Sequence, residues 1–479
     1  MKIFLLDSPS WPLFDPRMHT HLGLMYLAGS LRAAGFTDVM VKDCHQVTSP
    51  DPSNRNGLII HQDKLEPCDV LGLSATTANV HWGQQLAKAW PAKVKVLGGT
   101  HVTHIFHGPH GKFKQKKYFE GFDYLMVGEA EEAFVDFCRA VDSGREPVAA
   151  HVPNLRRFGP LGCEATGERA QPDVTQLFGP AFDLWEAGFR KGALAGPTAR
   201  ASKASEMMTA SLDTARGCPY ACTFCADART KLREETLAQI EAEVKQLAEL
   251  GVQAIRVQDD TYTIKAERAK AIADILHAYG MVWRGTTRVN LVDSSLFRYL
   301  ASKGCTELGF GIEHGSAKML KLMAKGTTPQ KNEIGVKQAQ DAGIIPRSFL
   351  MIGFPGETEE TIAELEEWVL RVRPGAVTMS LFTPYPGSDV WNNPVKYGVA
   401  IPDNAFDRFW QLGNDNDPNS LVLDLPTISK ERLFYHRQRL IKLFSEEIGS
   451  LDRARLHGNV GTFGPQVLNG GLNSDCVVG

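Results

Sequence analysis

Arg216-Gly217-Cys218-Pro219-Tyr220-Ala221-Cys222-Thr223-Phe224-Cys225 places three thiols within eight residues. Three residues separate the first two and two separate the next, so the sulfurs can converge on one metal centre, and no nearby cysteine supplies a fourth ligand. A structural zinc site usually closes with four protein ligands. Two assignments follow: a zinc knuckle completed by a distant Cys or His, or a cluster iron left with one position open for a small ligand. The company the segment keeps favours the second.

From Ser211 short apolar runs alternate with helical patterns. Candidate strands are Ser211–Ala215, Ala254–Asp259, Val282–Thr286, Glu307–Ile312, Arg347–Ile352 and Val377–Phe382. Helical spacing follows at Glu234–Leu250, Ala266–Ala278, Ser294–Ser302, Ser316–Met323, Pro329–Ala342 and Glu357–Val372. One unbroken strand–helix series predicts a partial (β/α)6 barrel of TIM type, with the cysteine loop at the end of its first strand. Upstream, Lys2–Asp7, Asp38–Asp43, Val70–Ser74, Val94–Leu97 and Tyr124–Val127 read as strands, and Leu22–Ala34, Val80–Trp90 and Glu131–Val141 as helices. Parallel neighbours need crossovers, so this is a Rossmann-like, doubly wound α/β domain. Ligands of such sheets bind beyond the strand carboxyl ends. These carry Ser8, Ser74, Thr76, Gly98, Gly99 and Gly128, small residues that let a ligand approach the backbone.

The expected division is 1–142 for the doubly wound domain, 143–207 for a connector without periodicity, 208–390 for the barrel, and 391–479 for a helical extension and loose tail, with Lys430–Glu447 its one amphipathic helix. The formal charge of −3, from 52 basic and 55 acidic residues, gives no field for a polyanion, so nucleic acid is not an expected partner. No apolar run approaches the roughly 20 residues of a membrane span. Nine cysteines in 479 residues are too sparse for a disulfide scaffold. A reducing, cytoplasmic setting is expected.

Cys218, Cys222 and Cys225 resemble the CxxxCxxC signature of radical S-adenosylmethionine enzymes, with Phe224 at the usual aromatic position. The likeness continues through Gln258-Asp259-Asp260, Thr287-Arg288-Val289-Asn290, the stretch Gly309-Phe310-Gly311-Ile312-Glu313, Gly353-Phe354-Pro355-Gly356 and Thr383-Pro384-Tyr385-Pro386-Gly387-Ser388. It resembles members with an N-terminal cobalamin-binding domain, whose markers are similar to Leu22-Gly23-Leu24, Val96-Leu97-Gly98-Gly99-Thr100-His101 and Val127-Gly128-Glu129-Ala130-Glu131. The resemblance implies a 4Fe–4S cluster on the three cysteines and S-adenosylmethionine chelated to its open iron. It also implies an external one-electron donor such as flavodoxin or ferredoxin, and a small-molecule substrate attacked by a 5′-deoxyadenosyl radical. Phe224, Asp259, Arg288 and Glu313 are the expected S-adenosylmethionine contacts. Ser8, Ser74, Thr76, Gly98, Gly99 and Gly128 are those for cobalamin.

The resemblance points first to a cobalamin-dependent methyltransferase acting on an unactivated carbon or phosphorus of a biosynthetic intermediate. The alternatives are a radical dehydratase, lyase or oxidoreductase acting on a sugar-type intermediate without cobalamin, and a non-catalytic zinc protein. Asp43-Cys44-His45-Gln46-Val47-Thr48 begins like the DxHxxG axial-histidine motif, but Thr48 replaces glycine and the segment follows the second strand, so it is read as chance. His101, His104, His107 and His110 are expected on a solvated or ligand-covering loop, since Gly108-Pro109 breaks a helix. Lys112, Lys114, Lys116 and Lys117 are expected on a surface loop. Cys44, Cys68, Cys138, Cys305, Trp283 and Trp391 are expected in apolar packing, while Cys163 and Cys476 have no assigned role. Asp260 and Asp389 could face an amine of the substrate.

Overall fold

The computed structural model describes residues 1–10, 21–54, 56–160, 162–186, 188–191, 207–403, 406–409, 418 and 421–447. The tail with Cys476 and the Ala195-Gly196-Pro197 stretch lie outside them.

Ile3–Asp7 shows why the first sheet must be covered on both faces. Ile3 and Leu5 enter one apolar cluster, with Leu22, Leu31 and Phe134 from two helices; Phe4 and Leu6 enter another, with Val80, Leu86 and Trp90. All four are at most 2% exposed, as a parallel strand between two helical layers requires. The strand order is Val39–Lys42, Ile3–Asp7, Cys68–Ser74, Ala92–Gly98, Tyr124–Met126, then Leu155–Gly159 and Gly162–Ala165. The first five run parallel. Winding reverses between Ile3–Asp7 and Cys68–Ser74, the switch point at which such sheets open a crevice.

The second sheet carries six parallel strands in chain order: Met208–Leu212, Ala254–Val257, Val282–Thr287, Cys305–Glu313, Ile345–Ile352 and Ala376–Leu381. Arg190–Lys191 adds a short antiparallel edge. Together these make an open, partial barrel. Its helices start where the sequence supplies caps: Thr236 with Gln239 and Thr358 with Thr361 form reciprocal capping boxes, and Asp293 accepts from the Leu296 amide. Lys430–Glu447 packs on Glu359–Val372, where Arg432 and His436 meet Glu359.

Two expectations need correction. Thr100–His107 is a helix, not a loop; Gly108-Pro109 ends it rather than preventing it, because a proline beyond the last turn displaces no helical hydrogen bond. The 143–207 segment is more than a connector, since Leu155–Gly159 and Gly162–Ala165 extend the first sheet as an antiparallel hairpin. Strands this short leave no visible period. Cys44, Cys68, Cys138, Cys305, Trp283 and Trp391 are buried as expected. The lysine run lies on the surface, with Lys112 paired to Asp403. Among the described residues, no helix is long and apolar enough to cross a membrane.

The segment after the hairpin is strapped onto the helix Leu22–Ala33. The Ala181 amide donates to the Met25 carbonyl, and a Cβ on Gly29 would stand 2.1 Å from the Gly179 carbonyl oxygen. Gly29→Val should therefore cost about 1–3 kcal/mol through overpacking, read as a fall in thermal midpoint. Gly23→Ala on the same helix, where nothing lies within 4 Å, should leave the midpoint unchanged.

Candidate active site between the sheet edge and the cysteine loop

The cysteine loop is held by backbone and by two side chains. Gly217 has φ +91°, and a Cβ there would meet the Lys231 carbonyl at 2.4 Å, so this position needs glycine. The Cys218 amide donates to Thr230 Oγ1 at 2.8 Å, and the Thr230 amide returns a bond to the Cys218 carbonyl at 3.0 Å. The Thr223 amide donates to the Met323 carbonyl, fastening the loop across the barrel mouth. Asp259 Oδ1 accepts from the Thr214 and Ala215 amides at 2.7 and 3.1 Å, which fixes the strand end from which the loop springs.

Cys222 is buried; Cys218 and Cys225 are partly exposed, and burial pushes the Cys225 thiol up to about 12. Among the described residues, Asp43, Cys44 and His45 form the one His, Cys, Asp or Glu trio whose donor atoms all lie within 4.8 Å of one another. The loop itself offers three free thiols, Cys218, Cys222 and Cys225, as ligands. Beside them Arg288 is 6% exposed, donates from Nη1 to Cys222 Sγ at 3.5 Å, and keeps a buried Nε–H without a partner. A buried orphan donor is costly unless something accepts from it, so this position also suits an acceptor-rich group.

The other expected contacts are engaged by the protein. Glu313, at φ +64° on a bulge of Cys305–Glu313, pairs with Lys325 at 2.7 Å, and Gly311 leaves room for that pair. The Lys325 ammonium stands 5.7 Å from the centre of the Phe224 ring. Asp389 is taken by Lys396, Tyr397 and Asn393. The expectation that it faces a substrate amine is not met, because local pairing satisfies its carboxylate.

A cavity of about 720 Å³ opens between this loop and the first sheet. Ser74, Thr76, Gly98, Gly99 and Gly128 line it, with Gly23 and Tyr26 from the first helix and Arg216, Ala226, Asp227 and Thr230 from the loop. Ser8 is not in the lining. It is fully buried and donates to the Asn79 carbonyl at 2.6 Å, so it ties strand ends together instead. His45 also lies outside the lining; its ring nitrogen and amide bind Asp43. His104 and His107 line the cavity, and burial lowers the His104 pKa. His101 is buried, its pKa pushed down to about 3.

Sequence reasoning missed the seam that joins the two halves. Arg216 Nη1 donates to Glu129 at 2.8 Å and Glu131 at 2.6 Å, Arg233 also binds Glu129, and Tyr26 donates to Glu235 at 2.6 Å. The marker segments around Glu129 and Arg216 were visible; that they meet was not, since nothing local records a contact 85 residues away. Crowded carboxylates raise one another's pKa. Asp213 is pushed up to about 7, mainly by burial and then by Asp259, and Glu243 is raised by burial and Glu235.

Residues 212–369 match the Radical SAM superfamily model. The chain is thus a radical S-adenosylmethionine enzyme, of a superfamily that uses S-adenosylmethionine and a 4Fe–4S cluster. It is 26% identical to an uncharacterized methyltransferase of Pyrococcus horikoshii, across 96% of this chain and 98% of that one. It is 25% identical to the cytidylyl-2-hydroxyethylphosphonate methyltransferase of Streptomyces wedmorensis, across 85% and 84%. The fold is shared with the radical S-adenosylmethionine methyltransferase TsrM of Kitasatospora setae, solved with cobalamin and a [4Fe-4S] cluster, at TM-score 0.61, 18% identity and coverage of 81% and 77%.

A carboxyl whose pKa is raised by folding gives stability that is complete below its unfolded value and is lost as pH rises through the folded one. For Asp213 the loss spans roughly pH 4 to 7. Asp213→Asn should therefore gain thermal midpoint relative to the parent chain as pH is raised from about 5 to 8. A constant difference across that range would remove Asp213 as the titrating group.

Proposed function

We propose that this chain is a cobalamin-dependent radical S-adenosylmethionine methyltransferase acting on a small molecule. The observation that carries the proposal is the shared cavity: one wall is the carboxyl edge of a doubly wound sheet, and the other is made by Arg216, Ala226, Asp227 and Thr230, which flank Cys218, Cys222 and Cys225 on their loop. A ligand bound there faces both at once. When bound, the cluster would supply one electron to S-adenosylmethionine, and cobalamin would carry the methyl group. The electron would come from an external donor of the flavodoxin or ferredoxin kind.

The residues fit a broad, flat ligand. A Cβ built on Gly23 meets nothing within 4 Å, and one on Gly98 meets nothing nearer than 3.9 Å, so the cavity has a floor without side chains at both points. Ser74 and Thr76 add hydroxyls at the rim, and Gly99 and Gly128, with φ of +94° and +78°, turn the backbone there. These would hold the cofactor's amide groups. Backbone beside Phe224 would meet the adenine of S-adenosylmethionine. Asp259 would serve by fixing Thr214 and Ala215, and the Glu313–Lys325 pair by supplying a charged wall. The relatives named above as methyltransferases support transfer of methyl rather than dehydration or cleavage.

The test is anaerobic reconstitution with iron, sulfide and hydroxocobalamin, followed by incubation with S-adenosylmethionine and a strong reductant. One corrin and about four irons per chain, with S-adenosylhomocysteine and 5′-deoxyadenosine both formed, are expected. Gly23→Trp should keep the iron and lose corrin uptake at least about tenfold, since an indole there fills the cavity. A chain that takes up iron and cleaves S-adenosylmethionine, yet binds no corrin and forms no S-adenosylhomocysteine, would overturn the methyltransferase assignment.

A further inference from the structure

Arg288 is unusual among the charged residues of the barrel mouth. Its guanidinium stacks on Tyr220, 4.1 Å from the ring centre, donates from Nη1 to Cys222 Sγ at 3.5 Å, and donates from Nη2 to the Lys325 carbonyl. Among the described residues no carboxylate pairs with it; the nearby Glu313 is paired to Lys325 instead. It is therefore a buried positive charge whose hydrogen-bonded partners are a sulfur and a backbone oxygen, with Nε–H left over. Burying an unpaired charge costs several kcal/mol. A compensating negative group is called for, and the nearest candidate is the metal centre that Cys222 would ligate.

We propose that Arg288 is a positioning residue for the cluster: it orients the Cys222 thiolate, neutralises part of the charge gained on reduction, and so raises the cluster's reduction potential. The inference rests on the three cysteines holding a cluster. Potentials of iron–sulfur centres follow net charge, hydrogen bonds to sulfur and solvent exposure, and Arg288 acts on all three. The Tyr220 ring packs against the guanidinium and holds the fork in place. With a cluster held there and reduced by one electron from the external donor, the cationic neighbour would favour the reduced form.

The experiment compares the parent chain with Arg288→Gln and Arg288→Met after anaerobic reconstitution, without S-adenosylmethionine or substrate. Iron and sulfide are assayed, the fold is checked by circular dichroism and thermal midpoint, and the cluster is titrated with EPR detection of the reduced form. Both variants should retain about four irons per chain. At the parent midpoint, their ratio of reduced to oxidised cluster should fall about tenfold, equivalent to 59 mV for a one-electron couple. Arg288→Lys, which keeps the charge but not the fork, should shift by less. An unchanged midpoint in an iron-loaded neutral variant overturns the proposal; if one neutral variant fails to load, the other decides. Neutral variants that fold as the parent does but take up no iron would also overturn it, in favour of a purely structural role. A parent chain that binds no cluster would instead sink the assignment on which the inference rests.

Discussion

Arg216 is where the two halves of the molecule become one site. It stands two residues before Cys218, and its guanidinium meets Glu129 and Glu131 from the edge of the first sheet while lying 4.8 Å from the centre of the Tyr26 ring. Breaking a buried charge pair by removing one partner typically costs about 3–5 kcal/mol, because the other is left uncompensated. That cost holds the cysteine loop over the carboxyl ends of the strands. Without it the cavity would have only one wall. Two acids on one arginine would leave excess negative charge, and Arg233, which also binds Glu129, supplies the second cation.

The same seam explains the raised carboxyls. Asp213, Glu235, Glu243 and Asp259 are gathered where Tyr26 and Arg216 reach across, and burial raises each before any neighbour is counted. A seam built entirely of ionised pairs would pay desolvation for each. Burial instead shifts these carboxyls toward the neutral form, which carries hydrogen bonds without net charge.

Much of the architecture was legible in the residues. Ile3-Phe4-Leu5-Leu6 reads as a strand buried on both sides, and the six barrel strands follow one another at helical intervals, so period and order sufficed. The helix Thr100–His107 was obscured because its histidines mask the apolar positions Val102 and Ile105 and a proline follows closely. The hairpin Leu155–Gly159 with Gly162–Ala165 was obscured because its second strand is wholly exposed and carries no alternation. At the site, the cysteine spacing was readable because it is local. Five of the six small residues expected at strand ends line the cavity, since strand ends were correctly located. Ser8 departs because Asn79 claims it: Asn79 Nδ2 donates to the Ser8 carbonyl and its carbonyl accepts the Ser8 hydroxyl, a pairing across 71 residues.

Geometry also separates the histidines of the first domain. Among the described residues, Asp43 and His45 follow Val39–Lys42, the outermost strand, and are turned toward each other, whereas His104 and His107 line the cavity from the helix Thr100–His107 and pair with Asp227 and Glu168. The strands that do border the cavity end in glycine, serine and threonine. A corrin seated there would meet this small-residue floor through its outline and its amides. The thiols, Arg288 and the Glu313–Lys325 pair lie outside that lining, packed by the barrel, and their loop borders the cavity through Arg216, Ala226, Asp227 and Thr230.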